Sequence, residues 1–206
     1  QVSLTVMLAG KKFFYCLNGK WRDTKAFMQR SHKFRQFRMP TTLDPKLARA
    51  MVNLAKPEKG DRLLDAFCGS GGLLIEAGLL GLKATGVELD EKVFNGCRQN
   101  LESFGLKDFK LVNEDFLKAK FAEKFDAIVT EPPFGRSAKV SEKNLELFYK
   151  KMFDKLHELL KPSALLVLSL PMHNKRLYSN KFICLKHFSL RVHKSLTKHF
   201  FVLKKK

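Results

Sequence analysis

Apolar and polar positions change rhythm repeatedly along the chain. Short apolar runs at 62–67 (RLLDAF), 83–89 (KATGVEL), 109–115 (FKLVNED) and 125–130 (FDAIVT) predict strands. Between them, at 73–81 (LLIEAGLLG) and 91–105 (EKVFNGCRQNLESFG), apolar residues recur at helical spacing. Residues 141–160 form a longer amphipathic stretch, with Leu145, Phe148, Met152, Leu156 and Leu159 roughly on one face. A further buried strand is expected at 163–170 (SALLVLSL). Strands alternating with helices imply βαβ units and a mostly parallel sheet with right-handed crossovers, an α/β fold. From residue 182 two β-rich runs leave little room for a helix, so an antiparallel pair is expected to close the sheet.

Ahead of this region the pattern differs. Residues 2–20 read as two β-rich runs around Gly10-Lys11, the signature of a hairpin. A basic connector dotted with aromatic residues (KAFMQRSHKFRQFRMP) leads to Pro40. Asp44 and Pro45 then mark a helix start as N-cap and first helical residue, followed by Leu47, Ala50, Met51 and Leu54 at helical spacing. The chain divides into a hairpin with a basic linker, 1–39, and a main domain, 40–206.

A length of 206 residues and a hydrophobic content of 45% suit one globular domain with a substantial core. The apolar runs are too short to span a bilayer, and the N-terminus has no signal-peptide layout, so no membrane association is expected. Cys16, Cys68, Cys97 and Cys184 are scattered and the histidines dispersed. That spacing argues against a disulfide framework and a metal site, and for a reducing, cytoplasmic compartment. Net charge is +19, and its distribution says more than its size. Lys and Arg outnumber Asp and Glu by 13 to 3 in residues 1–60 and by 10 to 0 in 171–206, while 61–170 hold 16 against 17. A neutral middle between basic flanks is the footprint of a polyanion contact; a basic surface kept for solubility is the alternative.

The candidate chemistry falls at the ends of successive predicted strands. In LLDAFCGSGG (63–72) a glycine-rich turn lies between strand and helix, where backbone N–H groups can approach a ligand. Asp65 before the glycines would repel a pyrophosphate but accept from an ammonium group, which disfavours a dinucleotide and favours an amino-acid-bearing nucleoside such as S-adenosylmethionine. Glu88 ends the next strand, placed to accept both hydroxyls of a ribose, while Asp90 reads mainly as a helix N-cap. Asp115 and Phe116 end the third strand: they either bind an adenine amino group and cover its face, or Asp115 caps the segment after it. In AIVTEPPFGRS (127–137), Phe134 offers a stacking platform for a planar base. Glu131 and the carbonyl of Pro132 would then accept from one exocyclic amino group, with acceleration arising from positioning and desolvation. Arg136 either contacts a phosphate beside the target or forms a surface ion pair.

Together these residues resemble the class I S-adenosylmethionine-dependent methyltransferases, a Rossmann-like fold, and among them the amino-methylating group with a D/N-P-P-Y/F motif. PTTLDPKLARAMVNLA, DAFCGSGGLLIEAGLLG, EPPFGRS and VHKSLTK are similar to the catalytic domain of archaeal tRNA guanine-N2 methyltransferases, which modify position 10. The resemblance runs from Pro40 to the C-terminus. It implies that Asp65, Phe67, Cys68, Gly69 and Gly71 surround the methionine part of S-adenosylmethionine and that Thr42 closes over it. Glu88 would hold the ribose, Asp115 and Phe116 the adenine, and Glu131, Pro132, Pro133 and Phe134 would form the catalytic turn.

Two departures accompany the resemblance. The family usually has Asp where Glu131 stands and Tyr where Phe134 stands; phenylalanine keeps the stack, whereas glutamate adds a methylene that the turn must accommodate. Family members also carry an upstream THUMP domain that captures RNA, and residues 1–39 are too few for one. Capture would then fall to a longer parent chain, a partner or activator subunit, or the basic flanks. The expected function is tRNA guanosine N2-methylation. The alternatives are the same chemistry on ribosomal RNA or DNA, and a non-catalytic RNA-binding subunit.

Overall fold

The computed structural model describes residues 3–18, 24–40, 42–134, 144–171, 174–193 and 196–206. Strands β1 (Ser3–Ala9) and β2 (Lys12–Asn18) pair antiparallel into a hairpin turning at Gly10 and Lys11, a two-stranded sheet of its own. The connector is more structured than its composition predicts. It holds a short helix α1 (Thr24–Gln29) and a 3-10 turn (His32–Phe34), both too brief to leave a periodic signal. Helix α2 (Pro45–Leu54) starts where expected, with the Asp44 carboxylate accepting from the Lys46 and Leu47 N–H groups.

Then come β3 (Arg62–Asp65), α3 (Gly72–Gly78), β4 (Lys83–Glu88), α4 (Glu91–Ser103), β5 (Phe109–Asn113), β6 (Phe125–Thr130), α5 (Leu145–Leu159), β7 (Leu160–Leu170), β8 (Phe182–His193) and β9 (Leu196–Lys205). They build a seven-stranded sheet ordered β5-β4-β3-β6-β7-β9-β8, parallel from β5 to β7. β9 runs antiparallel between β7 and β8. The expected C-terminal pair therefore forms, and its second strand is the one inserted beside β7. β7 begins three residues earlier than the apolar run suggests, taking in Pro162 and a Ser163 with φ of 66° at its irregular start.

Both faces of the sheet are covered, which is why its central strands read as continuous apolar runs. Leu63, Ala127, Val129 and Val167 pack with α2, α3 and α4 through Ala48, Met51, Leu74 and Leu101. Leu64, Ile128, Leu166 and Leu168 pack on the other face with α5 through Phe148, Met152, Phe153 and Leu156. One fully buried carboxylate interrupts the first layer. Glu76 of α3 accepts from Arg30 at 2.6 Å and Arg49 at 2.8 Å, tying the connector and α2 to α3.

Candidate active site

Strand order reverses between β3 and β6, and such a switch point leaves a crevice at the carboxyl ends of the strands. A cavity of about 840 Å³ opens there. Of the predicted site residues, Thr42, Asp65, Phe67, Cys68, Gly69, Glu88, Asp115, Phe116, Glu131, Pro132, Pro133 and Phe134 all line it; Gly71 lies behind the lining. Arg136 falls outside the described residues.

Asp65 ends β3 and is 1% exposed. Its Oδ1 accepts from the Thr130 hydroxyl at 2.8 Å and the Phe67 N–H at 3.2 Å, bridging the two strands at the switch point. Burial pushes its carboxyl up to about 7, opposed by those donors and reinforced by the charges of Glu131 and Glu88. Glu88 is also pushed up by burial, against the N–H groups it accepts from, Asp90 at 2.8 Å and Gly69 at 3.1 Å. Two carboxyl groups set apart from water in one crevice suit a ligand with an ammonium group and hydroxyls.

The glycine-rich turn between them is held from behind. Gly71, the N-cap of α3, has φ of 85°, and a Cβ there would stand 2.9 Å from the Cys97 sulfur. Cys68 and Cys97 are buried thiols 3.9 Å apart, and the hydrogen bond with Cys97, reinforced by burial, pushes the Cys68 thiol well up. Ser70 shares a 2.9 Å hydrogen bond with Thr42, and the buried Arg35 guanidinium donates to the same Ser70 oxygen at 3.3 Å. Burial lowers the pKa of Arg35, with Glu76 opposing. The Asn100 amide donates to the carbonyls of Ser70 and Phe37 and accepts from the Phe37 N–H.

Both open readings of Asp115 meet in its geometry: it lines the cavity, and its Oδ1 also accepts from the Leu117 N–H at 3.0 Å. Phe116 is 2% exposed, its ring set edge-on to Phe67 with centroids 5.3 Å apart. Asp90 caps α4 through the N–H groups of Lys92 and Val93.

The Glu131–Phe134 turn leaves β6 directly after Thr130. The Tyr149 hydroxyl of α5 donates to the Pro133 carbonyl at 3.0 Å and holds the turn from below. Glu131 Oε1 accepts from Ser169 of β7 at 2.7 Å and from Lys198 of β9 at 2.5 Å. Thr130, Tyr149, Ser169, Lys198 and Asn100 are the partners that residue patterns alone did not single out. Two left a trace. Ser169 interrupts an apolar run, and Asn100 is a polar residue on the apolar face of its helix.

Residues 32–198 match the family model described as UPF0020, the RMKL-like methyltransferase domain. Over 171 residues the chain is 40% identical to a tRNA (guanine(10)-N2)-dimethyltransferase of Methanothermobacter thermautotrophicus, an alignment covering 82% of this chain and 51% of that protein. The chain thus spans about half the length of this curated relative. Among solved structures, TrmN from Thermus thermophilus superposes with a TM-score of 0.74 at 24% identity, covering 100% of this chain and 60% of its own. SMU.472, a putative methyltransferase complexed with SAH, superposes with a TM-score of 0.70 at 14% identity, covering 100% and 62%. These neighbours share the Rossmann-like class I methyltransferase fold. On the strength of the matched region, the chain belongs to the RMKL-like methyltransferase domain family.

Proposed function

We propose that residues 40–206 form the catalytic unit of a tRNA guanosine N2-methyltransferase, acting on the exocyclic amino group at position 10. The observation that carries this reading is the convergence of Asp65, Glu88 and the Glu131–Phe134 turn on one cavity. The relative's named activity and the amino-group geometry of the turn support the substrate. S-adenosylmethionine, when bound, would supply an electrophilic methyl group on a sulfonium: the amino nitrogen would form the C–N bond as the C–S bond breaks with its electron pair left on sulfur, and Glu131 would accept the N–H proton. The cavity suits it. Glu88 would accept from ribose hydroxyls, Asp65 with Thr42 and the 67–71 turn would hold the ammonium end, and Asp115 with Phe116 would hold the adenine.

The protein's own residues then contribute orientation. Phe134 stacks the guanine, while Glu131 and the Pro132 carbonyl accept from its amino group and direct the lone pair into the cavity. The Pro133 carbonyl is already engaged by Tyr149, which leaves the Pro132 carbonyl as the backbone acceptor of the turn. A paired guanosine must leave its stack to reach the turn. Arg136 is assigned to a neighbouring phosphate, RNA capture to the basic flanks aided by a THUMP-type or activator partner, and the workplace to the cytoplasm. No described helix is long and apolar enough to cross a membrane.

Incubation of the protein with labelled S-adenosylmethionine and a tRNA pool, followed by nucleoside mass spectrometry and site mapping, tests the proposal. N2-methylguanosine at position 10 is expected. Label only in ribosomal RNA or DNA would move the substrate. Cofactor binding without transfer to any nucleic acid would leave a non-catalytic subunit.

A further inference from the structure

Glu131 is not a lone carboxylate at the cavity wall. Its Oε1 takes both the Ser169 hydroxyl and the Lys198 ammonium, and that ammonium also lies 5.5 Å from the centroid of the Phe134 ring. Ser169 is fully buried, and the Lys198 and Glu131 side chains keep only 14% and 18% of their surface. An ion pair this enclosed is screened far less than one on the open surface. Lys198 therefore touches both working parts of the turn, the acceptor and the stacking ring.

We propose that Lys198 is a positioning residue of the transfer site: with Ser169 it pins Oε1 of Glu131, leaving Oε2 to accept from the substrate amino group. The proposal rests on the amino-methylation reading above. A glutamate side chain free to rotate would have to be ordered at each turnover, whereas two donors on one oxygen order it in advance. As the amino nitrogen becomes cationic, a fixed anion at hydrogen-bond range stabilises it, and Lys198 keeps that anion in place between turnovers. The pairing also accounts for the extra methylene, because the longer acid is what reaches Ser169 and Lys198 here.

A double-mutant cycle tests this. Transfer to tRNA transcript is measured for the full chain, K198M, K198R, E131Q and K198M/E131Q, with melting curves and S-adenosylmethionine calorimetry for each. K198M is expected to lower kcat roughly 10–100-fold with KM for tRNA changed less than about threefold, and to cost less than about threefold more once Glu131 is gone. K198R should recover most of the rate, and cofactor affinity should hold in every variant. Equal losses in both backgrounds, or a loss confined to KM that fades with added salt, would overturn the proposal and make Lys198 a phosphate contact. An active wild type with a near-normal K198M refutes Lys198 alone. A wild type that binds cofactor and methylates neither tRNA, ribosomal RNA nor DNA refutes the amino-methylation reading and this inference with it.

Discussion

Asp65 carries the clearest pH signature of any single residue. Its carboxyl stands at about 7 in the fold against an ordinary value of 3.8, with burial the main cause. Between those values the native state keeps a proton that the unfolded chain has released, so stability falls as pH rises from about 4 to about 7 and levels off above. The effect is on the order of 4 kcal/mol at most. Urea denaturation of wild type and Asp65→Asn across this range checks it: the variant should lack that part of the decline. If both fall in parallel, the burial of Asp65 is not the cause. Glu131 gives a second test at this scale. Glu131→Asp draws the carboxylate back by roughly one C–C bond, about 1.5 Å, away from Ser169 and Lys198. Transfer should drop about tenfold, in the range expected when an interaction made in the transition state weakens. A faster Glu131→Asp enzyme would mean that the turn was built for the shorter acid.

Among the elements, α4 does more than cover the sheet. Gly96 lets the Phe37 ring lie so close that a Cβ at that position would stand 2.2 Å from it. One turn further on, fully buried Asn100 clamps the Phe37 backbone and the Ser70 carbonyl together. This amide fastens the connector to the glycine-rich turn alongside the Arg35–Ser70 hydrogen bond. Asn100→Ala strands the Phe37 N–H and carbonyl and the buried Ser70 carbonyl, a loss of about 2–4 kcal/mol in stability. Urea denaturation measures that loss, and calorimetry should show weaker S-adenosylmethionine binding as the turn loosens. A destabilised variant with unchanged cofactor affinity would separate the clamp from the site. This link also explains why residues 32–39 fall inside the matched family region although their composition reads as linker.

At the scale of the whole molecule, charge and topology converge. The basic connector and the β8–β9 hairpin are more than 140 residues apart in sequence, yet Met39, Pro40, Val192, Leu196 and Lys198 all border the same cavity. The two positive flanks therefore meet at the entrance that a nucleic acid would approach. RNA affinity should fall steeply with salt through counterion release, and replacing exposed Arg38 and Arg191 by Gln should lower the slope of log K against log salt by about one each. Filter binding across a salt series reads this directly. A flat dependence would return these side chains to the role of solubilising surface.

The α/β alternation, the start of α2, the closing antiparallel pair and the residues at the strand ends are legible in the sequence, because those signals are local: period, capping and turn chemistry act within a few residues. The sequence also sets Asp65, Glu88 and Glu131 in comparable positions, since parallel strands joined by crossovers all end on one side of the sheet. What stands behind them comes from long-range packing. Ser169 is reached across the β6–β7 register, Asn100 across a helix packed on the connector, and Lys198 because β9 runs antiparallel and starts beside the end of β7. An antiparallel strand brings its first residues to the edge where the parallel strands finish. Which side chain sits at that edge depends on register, and no short-range pattern in the sequence encodes it.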